Sequence, residues 1–267
     1  MRGRLGLPFF VLVGFLFLYA PIASLIVFSF NDSRLVTVWG GFSTRWYAAV
    51  FEDPQLLDAA WVSIRVAFWT ANVSLVLGTL VAFVLTRYGR FRLRTLLTGM
   101  VTAPLVMPDV IIGLSLLLLF VSLDQAIGWP AGRGLTTIVI AHATFCTAFV
   151  AVVVQSRLSS MDIDIEEAAQ DLGATPLTVF FTVTLPVIAP ALVSGWLLAF
   201  TLSFDDLVIA SFVSGPGAST LPMVIFSKVR LGVSPDVNAL ATMMIGVVAL
   251  LVLVAAAVSL RRRNTLA

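Results

Sequence analysis

"MDIDIEEAAQDLGATPLTVFFTVTLP", residues Met161–Pro186, is a polar island in an apolar chain. Five of the fourteen acids in the 267-residue sequence, Asp162, Asp164, Glu166, Glu167 and Asp171, fall within ten consecutive residues of this stretch, 162–171. An apolar run follows at once. Hydrophobic residues make up 60% of the whole chain and charged ones 11%, with a mean hydropathy of +1.05. A soluble domain of this size needs a polar skin that such a composition cannot supply. The long uncharged runs point to a bilayer instead. The net charge is only +2 and the arginines are clustered, so no nucleic-acid footprint is suggested. The single cysteine, Cys146, lies in an apolar stretch. It can form no internal disulfide and reads as a packing residue.

Outward from the island, six stretches are long enough to cross a hydrocarbon core, which takes ~20 helical residues. Leu5–Asn31, Val66–Thr86, Gly134–Ser156 and Val237–Leu260 carry no charge; Thr95–Leu123 is interrupted only by Asp109, and Pro186–Ser214 only by Asp205 and Asp206. The first run, preceded by Arg2 and Arg4, is longer than the ~7–15 residues of a signal-peptide core, and reads as a retained helix containing Pro21. Basic residues set the orientation. With the N-terminus in the cytoplasm that side holds ten (Arg2, Arg4, Arg87, Arg90, Arg92, Arg94, Arg157, Arg261, Arg262, Arg263) and the outer side six (Arg34, Arg45, Arg65, Arg133, Lys228, Arg230). The short loop "RYGRFRLR" and the tail "RRR" decide the matter. The expectation is therefore an all-α integral membrane protein of six transmembrane helices with both termini cytoplasmic. Residues 1–267 form one transmembrane domain, with residues 161–186 as a cytoplasmic loop within it. The outer segment Asp32–Trp61 reads either as a short helix lying in the interface or as an ordinary loop.

The island itself reads helix, tight turn, helix. Asp164 and Glu167 have capping-box spacing, and acids in a first turn suit the helix dipole. Gly173 is a natural residue just past a helix end, where positive φ is wanted. Thr175 and Pro176 then read as an N-cap and first helical residue. Ala168, Ala169 and Gly173 leave a surface of little bulk, ringed by carboxylates. Such a surface suits docking into a soluble partner; the same features also fit an inert connector on the membrane surface.

"EEAAQDLGATPLTVFFTVTLPVIAPAL" resembles the signature loop of bacterial ABC importer permeases: Glu167, Ala168, Ala169, Gly173 and Leu185–Pro186 match its pattern. Thr184 departs from it, since the family has a hydrophobic residue before Leu-Pro. The region "LAFTLSFDDLVIASFVSGPGASTLPMVIFSKVRLGVSPDVNALATMM" looks like the second permease subunit of spermidine/putrescine transporters. The resemblance implies a type I ABC importer permease fold in the bacterial inner membrane. It also implies that Glu166, Glu167, Ala168, Ala169, Gly173, Leu185 and Pro186 couple to an ATPase dimer. Further implied partners are a second homologous permease and an extracytoplasmic solute-binding protein, besides membrane lipid. The implied cargo is putrescine or spermidine; related permeases carry iron or anions.

The chain has no Gly-x-x-x-x-Gly-Lys-Ser/Thr phosphate loop, so it is expected to be non-catalytic and to bind no cofactor itself, with ATP and Mg²⁺ on the ATPase. No metal ligands group around the lone histidine, His142, which reads as a packed, neutral side chain. Acids in a span are costly, and face a partner or a wet cavity. Asp205, Asp206 and Asp109 are therefore candidate pathway residues for a cation. Only one of the adjacent pair Asp205 and Asp206 is expected to face the pathway. The alternatives are pairing with a partner's arginine or capping a broken helix. A secondary transporter using these acids for ion coupling is the competing class. Trp196, Phe200 and Phe204 form a stripe at helical spacing that fits either an ammonium group or helix packing. Pro104 and Pro108 are expected to kink or open the third span, and Gly215–Pro216–Gly217 with Leu221–Pro222 to mark an outer loop.

Overall fold

A computed structural model describes residues 6–35, 38–232 and 235–265, with only the backbone for 6, 7, 251, 252 and 254–265. Arg2 and Arg4 lie outside the described residues. The elements are helical: α1 (Gly6–Phe28), α2 (Arg45–Glu52), α3 (Pro54–Arg87), α4 (Arg94–Val106), α5 (Asp109–Ile127), α6 (Leu135–Ser160), α7 (Asp164–Asp171), α8 (Pro176–Val179), a π-helical turn (Phe180–Thr184), α9 (Leu185–Phe204), α10 (Val208–Val213), α11 (Leu221–Leu231) and α12 (Pro235–Thr265). Among the described residues, five helical stretches are long and apolar enough to cross a membrane: Pro8–Phe28, Pro54–Arg87, Asp109–Ile127, Leu135–Ser160 and Pro176–Phe204. Pro235–Leu250 adds a shorter apolar stretch within α12.

Four expected boundaries are corrected. The run Thr95–Leu123 is two helices, because Met107 takes an extended conformation (ψ 138°) before Pro108. The proline ring disfavours the helical conformation in the residue ahead of it. The run Pro186–Ser214 ends as a helix at Phe204, and a separate short helix starts at Val208. Residues Pro54–Trp61, expected within the outer segment, are the first turns of the 34-residue α3. Leu221–Pro222 likewise opens α11 rather than lying in a loop.

The chain divides into two compact units, Met1–Leu57 with Val224–Ala267, and Asp58–Met223. In the second unit α6 is the central helix. Ile138, His142, Cys146, Val150, Val154 and Leu158 recur every four residues, and all are fully or almost fully buried. That stripe meets Ile188 and Ala199 of α9 and Ala71 and Ala82 of α3. Small residues allow the close approach that helix association in lipid depends on. A Cβ on Gly78 would lie 2.7 Å from Val150 Cγ1. A second cluster joins Ile112 and Phe120 of α5 to Ile209, Ala210 and Val213 of α10.

In the first unit, Asn31 organises the segment after α1: its amide donates to Val38 O (2.7 Å) and accepts from Gly40 N (2.7 Å). Trp46 Nε1 of α2 donates to the Asn31 carbonyl (2.7 Å). Lys228 Nζ lies between Asp53 Oδ2 (2.6 Å) and Asp236 Oδ2 (2.8 Å), tying α11 to the α2–α3 junction and to the start of α12. The hydrogen bond from Lys228 holds Asp53 below the usual carboxylate range. Burial works to lower the Lys228 pKa, but its hydrogen bonds to Asp236 and Asp53 outweigh this and raise it. A depressed acid stabilises the fold above its ordinary pKa and stops doing so as pH falls through the lowered value. The raised lysine stabilises below its ordinary pKa and loses that contribution as pH rises through the raised one. Lys228→Met is therefore expected to lower the unfolding temperature at neutral pH. The gap from the parent should close as pH falls through the carboxylate range. A gap that stays constant from pH 7 to pH 3 would show that the pair contributes nothing electrostatic.

Candidate functional site

The polar island folds as a helical hairpin on the surface of the second unit. α7 begins after Ile163, and Asp162 Oδ1 accepts from the Asp164 backbone N–H (3.1 Å). Asp164 is thus the first helical residue rather than the cap, so the expected capping box is not formed. Gly173 has φ +90°, and its N–H donates to Gln170 O (2.8 Å) while Ala174 N–H reaches Ala169 O (3.1 Å). Those bonds close the helix with the left-handed residue that favours glycine. Thr175 caps α8, its hydroxyl accepting from Thr178 N–H, and Pro176 stands in the first turn. Leu185 and Pro186 open α9.

Glu167, Ala168 and Gly173 are exposed and Ala169 half-buried. Leu172 is 90% exposed and Leu177 72%, on either side of the turn. These two leucines were missed by reading charge and small residues alone. An exposed apolar pair of this kind marks a contact surface for a protein or for the membrane. Glu166 does not belong to that face: it is buried against Arg87 and Thr184. As a surface contact for a partner, Glu166 is corrected to an inward-facing residue.

The second candidate lies where α9 stops. Asp205 N–H closes α9 on Thr201 O (3.1 Å), and Asp205 itself is exposed. Asp206 turns inward. Its carboxylate accepts from Ile209 N–H (3.3 Å) and Ala210 N–H (2.8 Å), capping α10. His142 Nε2 of α6 faces Asp206 Oδ2 at 3.1 Å, off the line of a good hydrogen bond. His142 Nδ1 is hydrogen-bonded to Ser203 Oγ of α9 (2.8 Å). His142 is packed, at 1% exposure, but among polar partners rather than as a filler of apolar space. The adjacent acids are therefore split, one exposed and one internal.

Asp109 is exposed in the first turn of α5, where the helix dipole favours a carboxylate. Gly113 brings α5 so close to α10 that a Cβ there would meet Ile209 Cα at 3.3 Å. Asp109 and Asp205 each lie four residues before that contact in the sequence. Trp196, Phe200 and Phe204 stack on one another, with centroids 5.3 and 5.9 Å apart. Trp196 and Phe200 also pack on the α6–α9 cluster. Two of the three rings thus serve helix packing.

Residues 74–263 match the family described as "binding-protein-dependent transport system inner membrane component". The chain is similar to the putrescine transport system permease protein PotI of Escherichia coli strain K12, with 63% identity over 89% of this chain and 85% of the relative. It is 42% identical to the spermidine/putrescine transport system permease protein PotC of Haemophilus influenzae, over 96% of each. Among solved structures, it is similar in fold to a chain of a bacterial ABC transporter involved in the import of alginate. The TM-score is 0.70 at 18% identity, covering 96% of this chain and 98% of the other.

Proposed function

This chain belongs to the binding-protein-dependent transport system inner membrane components, and from that membership we propose that it is the membrane-spanning subunit of an ATP-driven importer of polyamines. Its six crossing segments are α1, α3, α4 with α5, α6, the stretch from α8 to α9, and α12, with both termini in the cytoplasm and residues 1–267 acting as one permease domain. A second, homologous permease completes the pathway. An ATPase dimer docks on the α7–α8 hairpin, with Glu167, Ala168, Ala169 and Gly173 at the contact and Leu185–Pro186 carrying it into α9. The ATPase holds the ATP and Mg²⁺; this chain holds neither and does no chemistry on its cargo. A solute-binding protein delivers the cargo from the outer side.

The observation that carries the substrate reading is the split acid pair at the α9–α10 break. Asp205 offers an exposed carboxylate at the end of an apolar helix, and no cation among the described residues pairs with it. Asp109 offers a second at the start of α5. A putrescine molecule carries an ammonium group at each end, and two separated carboxylates suit it. Asp206 supports the site from behind by capping α10.

Asp205→Asn keeps the shape and removes the charge. Loss of a hydrogen bond to a charged group is worth ~1.5–3 kcal/mol. Putrescine import by the reconstituted complex is therefore expected to fall by roughly tenfold or more. Asp206→Asn is expected to lower import as well. If both variants assemble and import putrescine and spermidine at the parent rate, the cation-pathway assignment is wrong. If import continues with an ATPase unable to hydrolyse ATP, the importer reading gives way to ion-coupled transport.

A further inference from the structure

Glu166 is the odd member of α7. Asp162, Asp164, Glu167 and Asp171 around it are exposed, whereas Glu166 is 7% exposed. Its carboxylate takes two hydrogen bonds and one close ion contact, whose Arg87 Nε–H lies off the hydrogen-bond line. Arg87 Nε lies 2.8 Å from Oε2, Arg87 Nη2 donates to Oε1 (3.2 Å), and Thr184 Oγ1 donates to Oε1 (2.6 Å). Arg87 is the last residue of α3, and Thr184 the last of the π-helical turn that feeds α9. Three elements therefore meet on one carboxylate.

Two features mark this as more than a convenient burial. Thr184 is 1% exposed, and its hydroxyl is spent on this carboxylate. An aliphatic side chain there would leave Glu166 one donor short inside the protein. The π-turn itself inserts an extra residue into the helix, Leu185 N–H reaching back to Phe180 O. Such turns are uncommon and frequent at functional positions. A buried ion pair is a weak source of net stability, but it fixes geometry.

The geometry points to a coupling latch: Arg87, Glu166 and Thr184 bind α7 to the end of α3 and to the start of α9, so that a displacement of α7 is handed to both helices. This rests on the reading above that α7 docks on the ATPase. α9 has 20 residues, ~30 Å at 1.5 Å per residue, and its far end carries Asp205. A shift taken up at Thr184 thus reaches the split acid pair through one helix. The three residues are positioning residues; none of them touches cargo.

The test uses the full complex in proteoliposomes and reads putrescine imported per ATP hydrolysed. Thr184→Val removes the hydroxyl at nearly constant shape. The ratio is expected to fall by roughly fivefold, the lower end of ordinary coupling between sites, while the complex continues to hydrolyse ATP. Thr184→Ser restores the donor and is expected to bring the ratio back. Glu166→Gln keeps the shape and loses the charge, and is expected to lower the ratio as well. An unchanged ratio in Thr184→Val, or a loss confined to the yield of assembled complex, overturns the latch. The docking reading is checked separately by Leu172→Cys, expected to cross-link to the ATPase. Absence of that cross-link removes the docking reading, whereas a parental ratio beside a normal cross-link removes the latch alone.

Discussion

His142→Leu is expected to destabilise the assembled transporter by about 1–3 kcal/mol, the usual cost of leaving a buried polar group without its partner. His142 bridges α6 to α9 and to the α10 cap, with Ser203 on one ring nitrogen and Asp206 on the other. Leucine fills a similar volume and supplies neither contact. Asp206 would keep its two backbone donors from Ile209 and Ala210, but its face toward α6 would meet only hydrocarbon. His142→Gln leaves an amide able to donate toward that carboxylate and is expected to cost clearly less. The double variant His142→Leu with Asp206→Asn removes both the imidazole and the charge it faced. It is expected to recover much of the loss, because replacing both members of a buried pair is far milder than removing one. Thermal unfolding of the purified complex measures all three. Equal stability of His142→Leu and the parent would mean that the His142–Asp206 contact holds nothing together. A double variant no more stable than the single would place the loss in packing.

Gly173→Val is expected to abolish coupled import. The residue sits at φ +90°, a conformation costing a non-glycine residue ~1–3 kcal/mol, and more for a β-branched one. A Cβ there would meet nothing within 4 Å, so the chain itself does not object to the added bulk. The cost within this subunit is conformational: α7 loses its closure and the turn to α8 is re-aimed. The added bulk would then stand between Leu172 and Leu177, on the face proposed to enter the ATPase. Gly173→Asn tolerates the left-handed conformation better, and is expected to retain part of the activity. Glu167→Ala removes one exposed charge, worth ~0–1 kcal/mol, and is expected to weaken assembly only slightly. Co-purification of the ATPase and its stimulation in the complex give the readout. Parental values of both in Gly173→Val would remove the hairpin from coupling.

Local rules made much of the α7–α8 hairpin legible. Gly173 stands where a helix needs a left-handed residue, and Thr175–Pro176 where one needs a cap and a proline, because both requirements are met within a few residues of chain. Asp164 was misread for a related reason. Several acids within one turn can each serve a helix start, and only the backbone path selects Asp162 for the bond. Glu166 beside Glu167 could not be sorted by pattern at all. Adjacent helical positions differ by about 100°, at ~3.6 residues per turn. Which of them turns inward depends on where Arg87 and Thr184 arrive from distant parts of the chain.

By itself the sequence determined the solvent of this protein, the existence of its long helices, and the resemblance that names its family. Composition and run length are one-dimensional quantities, and a bilayer reads them directly. The break ahead of Asp109 was also foreseeable, since a proline constrains its neighbour without help from tertiary contacts. The division of labour between Asp205 and Asp206 was decided only by the tertiary structure. A carboxylate turned inward needs donors, and those donors are the free N–H groups of α10, with the ring of His142 on α6 beside it. No local pattern states that α6 passes behind the end of α9. The close packing of Val150 against Gly78 and Gly195 sets that path, and it leaves one acid bound and the other exposed.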